Sequence, residues 1–418
     1  PPTPTPLNSS EAADVYKRQE GNIAWILTSA ALVLFMVPGL ALFYGGMVRA
    51  KNALNMLNMN MWCLGIVPVV WVLVGFSLAA GDSGRSWLGD LSIVGMKGIH
   101  DAEGIATFAF LMTFACITPA LISGAVADRM KFSAWMIFVP VWSLVVYAPV
   151  VYWIYGADGW IFNLPAHDFA GGTAIHVNAG AAALALAIVL GKRTGWPQNR
   201  PAPHNVPFVM LGAGILWFGW FGFNAGSALA ADGAATQAFV NTFIAGAAGM
   251  VAWMVIEMAK TGKVSTIGMA SGIVAALVAI TPAAGFVGSM HSFVFGALAG
   301  AICFFAIEAK FRFGFDDSLD VVGIHFVGGA VGGILLGFMA DASAVPGGDF
   351  ENGVFFGGGI LLWNQILSIA VGTAFSFVAT YIIAKAIDKT MGLRVTESTE
   401  MTGLDVSDHG EAAYVIES

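Results

Sequence analysis

Eleven long apolar runs set the strongest limit on how this chain can fold. A helix needs about 20 mainly apolar residues to cross a bilayer, and each run approaches or exceeds this length. The sequence therefore predicts an all-α polytopic membrane protein with eleven transmembrane helices. The predicted spans lie near residues 22–45, 57–80, 104–126, 132–155, 171–191, 206–230, 235–258, 265–284, 290–308, 321–340 and 356–386.

The scarcity of charge indicates a single body immersed in lipid. Apolar residues make up 57% of the chain and charged residues 11%, whereas soluble globular proteins carry about 25% charged residues. No charged linker divides the sequence into separate domains. The net charge of −8 argues against nucleic acid as a partner, because nucleic-acid binding needs a basic stripe.

The basic residues predict the orientation of the spans. If the N-terminus lies outside, all but four of the 18 lysines and arginines fall on the opposite side, the exceptions being Lys17, Arg18, Arg85 and Lys97. Cytoplasmic loops are enriched in lysine and arginine. We therefore expect a multi-pass protein of the cell membrane with an external N-terminus and a cytoplasmic C-terminal tail.

Three segments differ in composition. Residues 1–20 lack the apolar core of a signal peptide, and we interpret them as a disordered leader or as sequence foreign to the natural protein. Residues 21–390 carry all the apolar runs and form the predicted membrane domain. Residues 391–418 form a short, acidic tail.

A short motif occurs once in each half of the chain. The sequence IHVNAGA, beginning at Ile175, recurs as IHFVGGA, beginning at Ile324. Five helices in each half would give the two halves opposite polarity in the membrane. Inverted repeats of this kind place a substrate path at their interface near the midplane. The motif therefore indicates an inverted five-plus-five helix repeat.

The histidines of this motif, His176 and His325, lie inside predicted spans. A charge at the centre of a span costs about 2.5–3.5 kcal/mol, but a neutral imidazole carries one donor and one acceptor. Two such rings in contact can bond to each other and to a small polar guest. The alternative is a packing pair bonded to backbone carbonyls. Because the two occupy matching places, we favour a lined pore.

Aromatic residues supply a second signal. Phe110 and Phe114 lie four residues apart, on one face of the third predicted helix. The sixth run contains WFGWFGFN, from Trp217 to Asn224, followed by Ser227. Aromatic faces attract cations by about 2 kcal/mol when desolvated. The alternative is a core or interfacial belt, but the interleaved glycines let these rings crowd one path.

An acidic residue, Asp168, precedes the first histidine helix on the predicted outer side. A carboxylate there can cap the helix by accepting its free N–H groups. It can also add negative potential beside a cation entrance. We favour capping as its direct role.

Nothing in the sequence indicates an enzyme or a cofactor. There is no recognisable nucleophile arrangement, and neither pore histidine has a carboxylate within a turn on the same helix face, so we expect no metal site. Cys63, Cys116 and Cys303 each lie in an apolar run and are interpreted as packing residues.

Several segments resemble the ammonium transporter family, which includes the Amt, Mep and Rh proteins. The resemblance runs from about Ala24 to the C-terminus and is closest to the bacterial and archaeal Amt branch. The segments that carry it are PGLALFYGGMVRAKN, FACITPALISGAVADRMKFSA, DFAGGTAIHVNAG, GWFGFNAGSA, DVVGIHFVGG and GLRVTESTEMTGLDVSDHGEAAY.

The resemblance implies a homotrimer with one pore through each subunit. His176 and His325 would be the twin pore histidines, and Phe114 and Phe223 the stacked gate. Asp168 would be the essential acidic residue. The implied ammonium recruitment site comprises Phe110, Phe114, Tyr155, Ala170, Trp220 and Ser227. The tail would dock at the inner face, where a PII-type regulatory protein is the usual partner.

The sequence departs from the family at the outer site. Family members commonly carry tryptophan after the fourth helix, where this chain has Tyr155. Tyrosine keeps an aromatic face and adds a hydroxyl, so we expect cation capture to persist with altered affinity. Trp153 lies two residues away, which points it in another direction.

The expected function is transport of ammonium or ammonia. We expect the cation to be captured at the aromatic mouth and to lose its proton, and neutral ammonia to pass the two histidines. The rival interpretation is a membrane sensor that reports pore occupancy through its tail. We favour transport because only a short stretch follows the last span.

Overall fold

The computed structural model describes residues 9–198 and 201–414. Within these residues, eleven helices are long and apolar enough to cross a membrane, which confirms the predicted spans in number and order. We name them α1 to α11 in chain order: Arg18–Met47, Ala50–Ala80, Ala102–Val126, Phe132–Tyr155, Gly172–Leu190, Val206–Ala228, Gly233–Thr261, Thr266–Ala283, Ser289–Phe313, Val322–Met339 and Ile360–Met391.

Several helices extend beyond the apolar runs that predicted them. The helix α11 continues to Met391, five residues past the predicted run, and this extension includes Lys389. Charged residues are tolerated there because a long helix can leave the hydrocarbon layer and continue into the polar interface. Hydropathy therefore locates a span but not its ends.

The N-terminal prediction is only partly covered by the structure. Residues 1–8 lie outside the described residues, and the backbone is helical from Ser9 into α1. The helix thus begins inside the segment interpreted as a leader. The foreign origin of residues 1–20 stays a prediction.

Glycine lets α1 and α6 approach closely along their length. A side-chain carbon on Gly212 would lie 2.4 Å from the backbone nitrogen of Phe43 and 2.6 Å from the carbonyl oxygen of Gly39. Any larger residue at this position would push the two helices apart. Small residues at helix contacts are the usual solution in membranes, because packing replaces the hydrophobic effect between spans.

The repeated motif brings α5 and α10 together. A side-chain carbon on Gly180 would meet the Cβ atom of Phe326 at 2.5 Å, and one on Gly329 would meet the Cβ atom of His176 at 3.1 Å. Each helix thus presents its motif glycine to the other. Both histidines lie in π-helical turns, Gly172–Val177 and Val322–Phe326, at the start of their helices. The two motifs thus share their local structure, and the inverted arrangement of the two halves stays a prediction.

The loops lie at two ends of the helix bundle. The end that contains residues 81–101, 156–171 and 340–359 is called the Asp168 end. The opposite end carries the segment after Met391 and is called the tail end. Two short helices follow there, α12 (Glu397–Thr402) and α13 (Leu404–His409).

Candidate functional site

His176 and His325 face each other in the middle of the bundle. Their Nδ1 atoms lie 3.3 Å apart, and their rings are nearly parallel with centroids 5.3 Å apart. Both residues are buried. The Nε2 atom of His176 is buried without a hydrogen-bond partner among the described residues. The pair is therefore bonded internally and leaves a nitrogen unused.

A narrow cavity runs beside the histidine pair. Apart from the two imidazoles and one indole, the side chains that line it are hydrocarbon or carry only a thioether. The walls are formed by Met36, Leu40, Phe43, Ile117, Leu121, Ile175, Leu216, Trp220, Phe223 and Val274. In such surroundings an ion loses its hydration without compensation, whereas a small neutral molecule enters at lower cost. The cavity favours neutral, hydrogen-bonding guests.

Two phenylalanine rings close the cavity toward the Asp168 end. Phe114 and Phe223 stack with centroids 4.2 Å apart and an angle of 19° between their planes. The ring of Phe223 also lies 5.9 Å from that of His176. The expected gate pair is therefore in contact and adjoins the histidines.

The structure places Trp220 against the histidines. Its ring stacks on His176 at 5.5 Å with an interplanar angle of 22°, and it lies 5.5 Å from Phe223. Its indole nitrogen donates to the Thr281 hydroxyl at 2.9 Å. Trp220 was expected in the recruitment site as a residue lining the path nearby, and its ring forms the wall between Phe223 and the first histidine.

Phe110 and Ser227, two further residues expected in the recruitment site, contact the phenylalanine pair. Phe110 is buried, with its ring 4.8 Å from that of Phe114. The Ser227 hydroxyl donates to the carbonyl oxygen of Phe223 at 2.8 Å, which leaves its oxygen free to accept. Ala170 is also buried.

Tyr155 occupies the last residue of α4 and is half-buried. Its hydroxyl has no hydrogen-bond partner in the part of the chain that the structure describes. No ring contact joins it to the phenylalanines of the gate within those residues, so its place in the recruitment site stays a prediction. Trp153 points away, as expected, and donates to the carbonyl oxygen of Trp87 at 2.7 Å.

Asp168 caps α5, as the sequence predicted. Its two carboxylate oxygens accept four backbone N–H groups, from Gly171, Gly172, Thr173 and Ala174, at 2.6–3.0 Å. The turn requires glycine because Gly171 has φ of 113°. Burial raises the pKa of the Asp168 carboxyl, and the four donors hold the rise down. A carboxylate here thus costs desolvation but is matched by the helix N-terminus.

A counterpart of Asp168 at the tail end was missed. Asp317 lies eight residues before His325, as Asp168 lies eight residues before His176. Its Oδ2 atom accepts the N–H of Val322 at 2.7 Å, and its Oδ1 atom is buried without a partner among the described residues. The equal spacing was the signal that could have revealed it.

The segment after Met391 is docked on the tail end. Glu400 is buried, and its two carboxylate oxygens accept from Arg394 at 2.7 Å and from the backbone nitrogen of Thr194 at 2.8 Å. Lys51 donates to the carbonyl oxygen of Met401. These contacts join the tail to the start of α2 and to the α5–α6 connection.

Two further carboxylates extend the docking. Asp405 accepts the backbone N–H groups of Leu54 and Asn55 at 3.1 and 2.8 Å, so the tail caps the start of α2. Asp408 accepts the N–H of Phe132, the first residue of α4, at 3.0 Å. Negative charge at a helix N-terminus is favourable. The tail therefore contacts the starts of two membrane-spanning helices, α2 and α4.

Comparison with known proteins places these features in one family. A family model described as Ammonium Transporter Family matches residues 24–414. An ammonium transporter of Mycobacterium tuberculosis is 48% identical over 429 residues, covering 94% of this chain and 90% of that one.

Solved structures agree with this placement. Mep2 from Candida albicans matches with a TM-score of 0.87 at 35% identity, covering 94% of this chain and 90% of that chain. A structure named Sensor Amt Protein matches with a TM-score of 0.88 at 27% identity, covering 94% and 99%.

Proposed function

The chain belongs to the ammonium transporter family, and from this premise we propose that it moves ammonium across a membrane as neutral ammonia. The observation that carries the mechanism is the bonded histidine pair beside an otherwise apolar cavity. An ammonium ion entering that cavity unsolvated would cost tens of kcal/mol by Born estimates. Ammonia avoids this cost because it carries no charge.

Capture of the cation occurs at the Asp168 end. Phe114, Tyr155 and Ser227 offer aromatic faces and a hydroxyl oxygen to ammonium, with Phe110 and the Ala170 carbonyl completing the site. A cation–π contact contributes about 2 kcal/mol when desolvated, which is enough to concentrate the ion but not to carry it inward. The ion therefore gives its proton to water at the mouth.

Passage of ammonia follows displacement of the phenylalanine gate. Ammonia moves past Phe223 and Trp220 and bonds to His176 and His325, which replace part of its lost hydration. Potassium is excluded, since it has no proton to give up and cannot enter as a neutral molecule. The hydrogen-bonded histidine pair also offers a path for the proton that ammonium has lost. Ammonia therefore crosses either alone or together with this proton.

The test uses purified protein in proteoliposomes and a sudden ammonium gradient. A saturable current means that net charge crosses, and a protein-dependent rise of internal pH without current means that ammonia crosses alone. Both outcomes support transport. Empty liposomes and a variant with both His176→Leu and His325→Leu serve as controls. Silence in both readouts, also after removal of residues 392–418, would overturn the proposal.

Assembly and location follow from the same family membership. We propose a homotrimer in the cell membrane, with one pore in each subunit. The N-terminus would lie outside and the tail end would face the cytoplasm, in agreement with the clustered lysines and arginines. A PII-type regulatory protein is the proposed partner at the tail end, where the docked tail is accessible.

The sensor interpretation remains the second candidate, favoured by the structural match to the protein named Sensor Amt Protein. A sensor would bind ammonium and change its tail contacts without sustained flux. The proteoliposome measurement separates the two, because a sensor gives neither a current nor a change of internal pH. A sensor would instead show hydrogen exchange in its tail that depends on ammonium, measured separately on the purified protein.

A further inference from the structure

We propose that Thr281 is a positioning residue for transport. It holds the indole N–H of Trp220 away from His176, and it thereby keeps the unused nitrogen of His176 open to the passing ammonia. This inference rests on the proposed function, but it concerns a residue that does not line the cavity and makes no hydrogen bond to a histidine among the described residues.

The geometry of the Thr281 hydroxyl fixes its role. The hydroxyl donates to the carbonyl oxygen of Leu277 at 2.7 Å, so its proton is already used. Its oxygen accepts the indole N–H of Trp220 at 2.9 Å. Thr281 is fully buried and Trp220 is 2% exposed. No solvent competes for this bond, and the indole is held in one orientation.

A released indole would compete with the substrate. Tryptophan nitrogen is a donor only, and a buried donor without a partner is costly, so the ring would turn toward a free acceptor beside it. The Nε2 atom of His176 is buried and unpartnered among the described residues, and the indole ring already stacks on that imidazole. In the tautomer that leaves Nε2 unprotonated, this nitrogen is an acceptor. An indole bonded to it would occupy the position that ammonia needs.

The same turn also supports the start of the histidine helix. A side-chain carbon on Gly172 would meet the ring of Pro282 at 2.5 Å, so the π-helical turn of α5 rests directly on the residue after Thr281. The carbonyl oxygen of Pro282 accepts the N–H of Phe169 at 3.0 Å. The end of α8 therefore sets both the position of His176 and the direction of the indole beside it.

The chain contains a matched control for this bond. Trp142 donates its indole N–H to the hydroxyl oxygen of Thr380 at 2.9 Å, and both residues are fully buried. This pair joins α4 to α11, and among the described residues it makes no hydrogen bond or ring contact to either histidine. Thr380→Val therefore removes the same chemistry at the same depth without freeing a donor beside His176.

The first experiment measures ammonium uptake into proteoliposomes as a function of concentration. We expect Thr281→Val to lower the maximal rate by about tenfold, as for an unmade buried hydrogen bond, with the half-saturation constant unchanged because the capture site is intact. Thr281→Ser keeps the acceptor and should retain the wild-type rate. Thr380→Val should retain it as well. An unchanged maximal rate in Thr281→Val, or an equal loss in Thr380→Val, would overturn the inference.

A second experiment distinguishes competition between the indole and ammonia for His176 from a general loss of structure in the Thr281 variant. Trp220→Phe removes the donor, so adding Thr281→Val to this variant should cause no further loss of rate. A further loss in the double variant would show that Thr281 acts in another way. The comparison of Trp220→Phe with the double variant also decides the matter if Thr281→Val alone does not reach the membrane. If the wild-type protein itself carries no ammonium, the proposed function fails and not this refinement.

Discussion

The Nδ1 atoms of His176 and His325 share one hydrogen bond at 3.3 Å, so two neutral rings hold different tautomers. The ring that donates through Nδ1 has an unprotonated Nε2 atom, and the ring that accepts has a protonated one. The pair therefore presents one acceptor and one donor. Ammonia can both donate and accept, so it matches either ring in turn.

Removing either imidazole should slow transport. Leucine at position 176 or 325 leaves the cavity apolar but provides no hydrogen bond, and we expect His176→Leu and His325→Leu each to lower the maximal ammonium rate by at least about tenfold. The measurement is the initial uptake rate in proteoliposomes. His100→Leu, at an exposed loop position, is the control and should leave the rate unchanged. Wild-type rates in both pore variants would contradict the histidine pathway.

The stability of the protein should depend on the ionisation of Asp317. Burial raises the pKa of Asp317 to about 6, with Lys310 opposing the rise. An unfolded aspartate has a pKa of about 3.9, so the folded state binds this proton more tightly. The penalty for the charged form is complete above about pH 6 and absent below about pH 4, and two pKa units correspond to about 3 kcal/mol.

The predicted observation is a thermal midpoint in detergent that rises as the pH falls from 7.5 to 5. Asp317→Asn should remove this rise. The adjacent Asp316 should show the opposite dependence of stability on pH. Its interactions with Arg193 outweigh the effect of burial and hold its pKa below the usual value. The stabilising effect of Asp316 over Asp316→Asn should thus be present at pH 7 and decline as the pH falls below about 4. If the thermal midpoint depends on pH in the same way in the wild type, Asp317→Asn and Asp316→Asn, this assignment is refuted.

Glu400 should keep the tail docked. Glu400→Ala removes the acceptors of Arg394 and of the Thr194 backbone, and it leaves a partly buried arginine without its carboxylate. We expect faster backbone hydrogen exchange across residues 396–409. Glu397→Ala, an exposed position on the same short helix, is the matched control. Equal exchange in the two variants would show that Asp405 and Asp408 hold the tail by themselves.

The spans and the histidine pair were predictable because each leaves a local signal. A helix that crosses lipid must be apolar for about 20 residues, and this constraint is visible in any window of the sequence. The histidines carried a second signal, since His176 and His325 stand in the same short motif. Its glycines, Gly180 and Gly329, turned out to be the contacts between the two helices.

Contacts between distant segments left no comparable signal. Trp220 and Thr281 are 61 positions apart in the sequence. Hydropathy does not define how the two helices that carry them are rotated about their own axes. The docking of Asp405 on the start of α2 spans about 350 positions. The sequence showed acidic residues in the tail but not which helix starts they cap. Only Asp317 was within reach, through its spacing from His325.

Tyr155 should set the affinity of the outer site and not the speed of passage. The cation–π attraction is strongest for tryptophan, so Tyr155→Trp should lower the half-saturation constant for ammonium, and Tyr155→Leu should raise it about fivefold for a contact of about 1 kcal/mol. Tyr155→Phe should change little, because the hydroxyl has no partner in the described structure. The maximal rate should stay constant in all three variants.

Concentration dependence of ammonium uptake provides the measurement, and Trp153→Phe provides the control. Trp153 packs against Trp87, Trp160 and Phe375 and lies away from the gate. Its replacement should lower stability through the lost bond to the Trp87 carbonyl while leaving the half-saturation constant unchanged. If Tyr155→Leu and the wild type saturate at the same ammonium concentration, the aromatic ring at the end of α4 does not capture the cation, and capture then depends on Phe114 and Ser227.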